Sequence, residues 1–290
     1  MKILVTGASG VLGNRVVETL LKSVPADQVV VSVRDTAKVE HLRARGVEVR
    51  QADFNEPASL DKAFEGIDRL LVVSTTEPIN EKRIAQHVNA INAAKRANVK
   101  LLVYTSGTKA DKTTLAMGLA HKATEEAMIE SGVPYCILRN NLYLETELNT
   151  VRACMAGAPI VTNAGEGKIG FALRNDFADA AAAVLAGEGH ENKIYELSGK
   201  PITYDELAIE IGKVIGKEVP VKHVNDTAFA AFLKNAGIPE VMIPMLTATK
   251  AAVRDGVLEI ESNDLETLLQ RPVTPINEGL KLLVDLLSKQ

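Results

Sequence analysis

The sequence predicts an α/β protein: a doubly wound parallel sheet followed by a smaller, mostly helical C-terminal lobe. Three observations carry this. First, the apolar β-type run Lys2-Ile3-Leu4-Val5-Thr6 leads into Gly7, Gly10 and Gly13 at three-residue spacing, and helical periodicity opens directly afterwards. Second, short runs rich in Val, Ile and Leu alternate with amphipathic helix patterns as far as Asn140, the signature of parallel strands with crossover helices. Third, the alternation weakens beyond Asn140 and helix patterns take over. The architecture is Rossmann-like.

Taken in order, residues 11–22 place Val11, Leu12, Val16, Val17, Leu20 and Leu21 at helical spacing. The second strand is 28–33, QVVVSV, continuous enough to be buried on both faces. A helix over 36–45 stops at Gly46, and a third strand runs over 47–51. Pro57 suits the first turn of a helix over 57–64. Strands at 68–74, 99–105 and 133–139 alternate with helices at 81–97 and 112–131. Beyond them, 157–170 is Gly-rich and reads as loop with short extended pieces. Asp176 is the expected N-cap of an Ala-rich helix over 176–186, followed by a strand at 193–197. The remainder reads as helices over 203–215, 226–237, 263–270 and 275–288, a short strand at 218–223, and a helical stretch over 238–256 broken by Pro239 and Pro244. The expected organisation is a dinucleotide-binding domain over 1–150 with return segments near 171–199, and a substrate-binding lobe over 151–170 and 200–290.

Composition bounds the function. The 290 residues are 46% hydrophobic, enough for a sizeable core, and 33 Lys plus Arg against 37 Asp plus Glu give a net charge of −4. That balance argues against a nucleic-acid surface or an electrostatic membrane anchor. The apolar runs are too short to span a bilayer, and the first strand begins where a leader would stand. Cys136 and Cys154 form no Cys-x-x-Cys motif, and Cys136 sits inside an apolar strand pattern as an inert buried thiol. The expectation is a cytoplasmic protein, monomer or homodimer. His41, His87, His190 and His223 show no metal-ligand spacing, so no metal is expected.

A strand, a Gly-rich turn and a helix make a phosphate cradle: the backbone approaches the pyrophosphate closely and the helix start offers free N–H groups. Open α/β sheets place ligands outside the carboxyl ends of their strands. That rule selects Gly7, Ala8, Ser9, Gly10, Val11 and Leu12; Arg34 and Asp35; Asp53 and Phe54; Ser74, Thr75 and Thr76; Thr105 and Ser106; and Arg139, Asn140, Asn141, Leu142 and Tyr143. At the end of the second strand an acid would hold the ribose of NAD, whereas Arg pairs with the 2′-phosphate of NADP. Arg34, with Lys38 a turn later, favours NADP(H), NADPH being the preferred form and NAD the alternative. Asp53 would hydrogen-bond the adenine and Phe54 stack on it; the alternative is a helix N-cap beside a core aromatic.

Many dehydrogenases with such an N-terminus carry a Tyr with a Lys four residues later, which lowers the phenol pKa for proton transfer. Four residues beyond Tyr104, Tyr135, Tyr143, Tyr195 and Tyr204 stand Thr108, Arg139, Glu147, Gly199 and Ala208. The pair is absent. Ketone reduction, sugar epimerisation and dehydration lose support, while an electron-poor acceptor can take hydride without it. His121, with Glu125 four residues on, lies where such enzymes keep their Lys. It orients the nicotinamide ribose or donates a proton, or else forms a structural His–Glu pair lining the site wall.

TGASGVLG at 6–13, VRD at 33–35, ADF at 52–54, YTS at 104–106, His121-x-x-x-Glu125, LRNNLY at 138–143 and NAGEGK at 163–168 with RND at 174–176 resemble the NmrA-like atypical short-chain dehydrogenase/reductases. Within that family the chain is most similar to bacterial NAD(P)H:quinone oxidoreductases and triphenylmethane reductases. The resemblance implies NADPH held by Gly7, Ser9, Gly10, Val11 and Leu12, with Arg34 on the 2′-phosphate. It places Ser74–Thr76 and Asn140–Tyr143 along ribose and nicotinamide, and implies an aromatic or quinoid substrate. His121, Asn140 and Tyr143 are the candidates beside the reacting atoms. Two departures stand out: Val11, where these reductases usually have Gln, and Asp35, often Asn, whose charge would repel a 2′-phosphate. The alternative function is a non-enzymatic NADP(H)-binding redox sensor of the NmrA type.

Overall fold

Val29–Val33 reads VVVSV and is buried from end to end, as a strand is when helices cover both faces of its sheet. The computed structural model describes residues 1–113 and 116–289. Its strands are β1 (Ile3–Thr6), β2 (Val29–Val33), β3 (Glu48–Gln51), β4 (Arg69–Val72), β5 (Leu101–Gly107), β6 (Tyr135–Asn140), β7 (Ile160–Thr162), β8 (Lys193–Leu197) and β9 (Val221–His223). Seven form one parallel sheet in the order β3-β2-β1-β4-β5-β6-β8. The order reverses at β1, which pairs with β2 on one edge and β4 on the other; that is the switch point where such sheets open a crevice.

The helices are α1 (Val11–Leu20), α2 (Glu40–Arg43), α3 (Pro57–Phe64), α4 (Asn80–Arg96), α5 (Ala116–Ser131), α6 (Leu148–Met155), α7 (Arg174–Ala186), α8 (Tyr204–Ile215), α9 (Asp226–Asn235), α10 (Ile243–Arg254), α11 (Asp264–Leu269) and α12 (Ile276–Ser288). α1 buries Gly13, Val16, Val17 and Leu20, one face at helical spacing. Leu4, Val30, Leu60, Phe64, Leu70, Ile91, Leu102, Tyr104, Met128 and Ile137 form a core around the large sheet.

The chain divides into two units. The first is Met1–Asn140, Asn175–Leu197 and Thr267–Gln270; the second is Asn141–Arg174, Ser198–Glu266 and Arg271–Gln290. The expected boundary at 150 therefore moves to the end of β6, and the return starts at 175 rather than 171. The reason lies in what the intervening residues touch. Asn141 donates to Ser198 Oγ (3.1 Å) and the Leu258 carbonyl (3.0 Å). Leu144, Phe171 and Leu173 belong to the second core with Tyr204, Leu207, Val253 and Leu280. That unit also contains the two-stranded β7–β9 sheet.

Local departures have local causes. The helix expected over 36–45 is a 3₁₀ turn, Thr36–Val39, followed by the short α2, because Asp35 caps the turn by accepting from the Ala37 N–H. Asp176 is a buried first-turn residue and not an N-cap; α7 starts at Arg174, whose N–H donates to the Glu145 carboxylate. Pro244 opens α10 rather than breaking it. Thr203 N-caps α8 in a capping box with Glu206. Of the helix expected over 112–131, residues 114 and 115 lie outside the described residues.

Candidate functional site

The site begins where β1 turns into α1. Gly7 takes φ +63°, and the Gly10 N–H donates to its carbonyl at 2.9 Å. A Cβ on Gly13 would stand 2.5 Å from the Gly7 oxygen, so the first turn of α1 packs in direct contact with the loop. Asn14 is the first residue to donate back into α1, to Gly10. The earlier amides, with the positive end of the helix dipole, face outward as an anion seat.

A cavity of about 430 Å³ extends from this turn across the carboxyl ends of β1–β4. Gly7, Ser9, Gly10, Arg34, Asp53, Phe54, Ser74, Thr75 and Thr76 line it, together with Thr6, Ser32, Asn55 and Gln86. Ala8 is not on its wall; its side chain is fully buried in the core. Val11 stands exposed at the start of α1, and Leu12 is half-buried behind it. The cradle, the cavity and the chemistry at its ends fit a dinucleotide.

Arg34 is exposed and forms no ion pair among the described residues. Asp35, its rival for the ribose, caps the following turn (3.1 Å). Asp53 is not a helix cap: its Oδ1 accepts from the Asn55 backbone (2.8 Å) and side-chain amide (3.0 Å), an Asx turn. Phe54 is half-buried against the core, and Asn89 donates to its carbonyl. Gln86 escaped the sequence reading. It lines the cavity, gives its amide to Asn55 Oδ1 (3.2 Å), and holds a buried Oε1 with no partner among the described residues.

Below Ser74 lies a polar network. The Thr75 N–H donates to His87 Nε2 (3.0 Å), so His87 carries its proton on Nδ1 and donates to Thr124 Oγ1 (2.9 Å). His121 is held the same way. Arg83 Nη2 donates to its Nε2 (3.2 Å), and its Nδ1–H donates to the Tyr104 hydroxyl (2.8 Å). Burial, reinforced by the Arg83 charge, drops both imidazoles to about 3. Burial also pushes the Tyr104 phenol far up. His121 is thus neutral, with both ring nitrogens engaged, which suits positioning and not proton donation.

The expected His121–Glu125 pair does not form. Glu125 accepts from Ser106 (2.5 Å) and from Arg139 (2.7 Å), and Arg139 also reaches Glu196 (3.0 Å) and Asp111 (2.8 Å). Asn140 ends β6, paired with Gly107, against which His121 packs. Asn141, Leu142 and Tyr143 begin the second unit. There Asn141 Oδ1 accepts from the Leu142 N–H, and the Arg174 guanidinium sits 5.0 Å over the Tyr143 ring. Both cysteines are free and buried, and burial pushes the Cys136 thiol up to about 12. In the second unit, ligand atoms of Glu166, Asp205 and His223 lie within 4.8 Å of one another, and His223 Nε2 pairs with Asp205 at 2.9 Å.

Fold and site together define a dinucleotide-binding α/β protein of the Rossmann class. The chain belongs to the NmrA-like family, whose model matches residues 1–268. It is 40% identical to quinone oxidoreductase 2 of Escherichia coli over 284 residues, 98% of this chain and 99% of the relative. The Citrobacter sp. triphenylmethane reductase complexed with NADP(H) superposes with a TM-score of 0.93 at 40% identity, covering 98% of this chain and 100% of that one. The NADPH complex of the Escherichia coli quinone oxidoreductase gives 0.93 at 40% identity, covering 97% and 99%. Among the described residues no helix is long and apolar enough to cross a membrane.

Proposed function

We propose that this chain is an NADPH-dependent reductase passing hydride to a quinone or dye-like conjugated acceptor. One observation carries the reading: the chain keeps a cavity for a dinucleotide across the carboxyl ends of β1–β4, with an Arg34 that has no acidic partner among the described residues, yet it has no Tyr–Lys proton relay. The names of its relatives point the same way.

The cofactor supplies the hydride. The amides of the Gly7–Gly13 turn and the start of α1 hold the pyrophosphate. Arg34 takes the 2′-phosphate through its planar fork, and the Asp35 carboxylate, tied to the Ala37 N–H, leaves that fork unopposed by an ion pair. Phe54 offers a face to the adenine, and the open Gln86 oxygen an acceptor to its amine. Asn140, at the carboxyl end of β6, is the first unit's candidate for the nicotinamide end, and Asn141, Leu142 and Tyr143 are candidates from the second unit. His121 orients the floor there through Arg83 and Tyr104. A quinone accepts hydride at an electron-poor carbon, so the protein's share is alignment and exclusion of water. The two free cysteines accord with a reducing compartment, the cytoplasm, and the chain works as a monomer or homodimer.

Stopped-flow mixing of the NADPH-loaded protein with quinones and triphenylmethane dyes tests the reading. Loss of reduced-nicotinamide absorbance is expected. Tight NADPH binding with no oxidation by any acceptor would instead identify a redox sensor.

A further inference from the structure

Arg83, the fourth residue of α4, is buried. No carboxylate among the described residues lies within ion-pair distance of it, and its Nε has no partner. Arg139, also buried and in the same unit, gathers three carboxylates. An uncompensated buried cation is costly and calls for an anion. The groups around Arg83 give no relief, because His87 and His121 are both neutral.

What Arg83 touches says where that anion belongs. Its Nη2 bridges His121 Nε2 (3.2 Å) and Ser74 Oγ (3.1 Å). A guanidinium only donates, so Ser74 Oγ accepts. The hydroxyl hydrogen of Ser74 finds no acceptor among the described residues, and Ser74 stands on the wall of the dinucleotide cavity. Its backbone N–H is anchored to Thr105 Oγ1 at 3.0 Å, which fixes the residue in place.

We propose that Arg83 is a positioning residue for the dinucleotide: it holds the Ser74 hydroxyl as a donor toward the nicotinamide-side ribose–phosphate of the cofactor, whose negative charge supplies the anion Arg83 lacks. The inference rests on the dinucleotide reading of the cavity. Neutral His121 sets the fork by accepting its other hydrogen bond. The free protein therefore carries a destabilising charge that ligand binding offsets. Arg34 and Ser74 follow β2 and β4, two strand positions apart with β1 between them. A ligand that reaches only the Arg34 end is indifferent to Arg83.

The test is calorimetric titration of wild type, Arg83→Met, Arg83→Lys, Ser74→Ala and the double variant Arg83→Met/Ser74→Ala, with NADPH and with 2′,5′-ADP, alongside thermal melts of the free proteins. Arg83→Met is expected to weaken NADPH about tenfold or more, the size of a lost charge-assisted hydrogen bond. Its unliganded Tm is expected to stay level or rise. Ser74→Ala should weaken NADPH as well, and the double variant should be no weaker than the worse single one. Arg83→Lys should recover part of the affinity, since it restores the charge without the fork. Binding of 2′,5′-ADP should change less than about twofold. Wild-type NADPH affinity in Arg83→Met, or a loss explained by a lowered Tm, overturns the inference and leaves the cofactor reading standing. If Arg83→Met fails to fold, Arg83→Lys and Ser74→Ala decide, and unchanged NADPH affinity in both overturns it. Absence of NADPH binding by the wild type sinks both.

Discussion

Two cations in this chain, the half-buried Lys250 and the buried Arg83, are handled in opposite ways. In the second unit, Lys250 lies 2.8 Å from Glu147 Oε1 and 3.8 Å from the centroid of the Tyr204 ring. Tyr204 donates to the same carboxylate oxygen, and Thr150 to the other (2.7 Å). Burial pushes the Glu147 carboxyl up, but Lys250 and the two hydroxyls pull it further down, below the usual carboxylate range. In the first unit, Arg83 has two neutral acceptors and, among the described residues, an idle Nε and no acid. The closed network is complete without a ligand and acts as a structural clamp. The open one is incomplete, and it borders the cavity that takes the dinucleotide.

The contrast breaks most visibly at the clamp. Lys250→Met leaves Glu147 buried without a cation and should cost about 3–5 kcal/mol in urea denaturation. Adding Glu147→Leu should recover most of that, since an apolar pair fills the space without desolvated charge. A double variant as unstable as Lys250→Met would show that the clamp does more than balance charge.

Gly13→Ala is next. Its methyl group meets the Gly7 oxygen at 2.5 Å, so the first turn of α1 must shift. The expected cost is about 1–3 kcal/mol, with loss of NADPH binding in calorimetry.

The third test titrates the open network. His87 and His121 are held near 3 in the folded protein against an ordinary value of 6.5. Between those values the unfolded chain binds protons that the folded one refuses. Stability therefore falls as pH drops from about 6.5 toward 3, by about 1.4 kcal/mol per pH unit for each histidine. His121→Gln removes one such group. The stability gap between wild type and variant should narrow by about 1.4 kcal/mol per unit between pH 6 and 4. A gap independent of pH would place His121 outside the proton-linked set.

Surface charges at the far end of the cleft give the smallest effects on stability. Arg34→Ala should leave it within about 0.5 kcal/mol, while raising the Kd for NADPH, not NADH, about tenfold. Asp35→Asn keeps the cap and removes a repulsive charge, so NADPH should bind about two- to threefold tighter, within the range of an exposed charge interaction. Equal shifts for NADH would detach both residues from the 2′-phosphate.

Legibility in the sequence followed how local each cause is. The β1–turn–α1 unit was legible because its period changes within thirteen residues and Gly13 is required by contact with Gly7. The place of Arg34 on the cavity wall was legible because strand ends define an address. Arg83 was not: Glu81-Lys82-Arg83 reads as a solvated helix start, and only the side chains of Ser74 and His121, remote in sequence, reveal the burial. The His121–Glu125 spacing was a true helical neighbour relation, yet Arg139 on β6 claims the carboxylate first. The move of the unit boundary from 150 to 140 has the same origin, since Asn141 is fixed by Ser198 and Leu258, over fifty residues later, and Leu144 by the Ala172 carbonyl.

The pairing of β6 with β8 has a consequence for how the chain is made. Cys136–Asn140 lies beside Lys193–Leu197 in the finished sheet, and the intervening chain includes a segment of the other unit. During synthesis β6 therefore emerges with one edge bare and waits some fifty residues for its neighbour, roughly 3–10 s at about 5–20 residues per second. An apolar strand edge left open that long is a template for wrong pairing. Nascent chains halted before Lys193 should thus be the ones that engage chaperones most strongly, and those halted beyond Leu197 should be released.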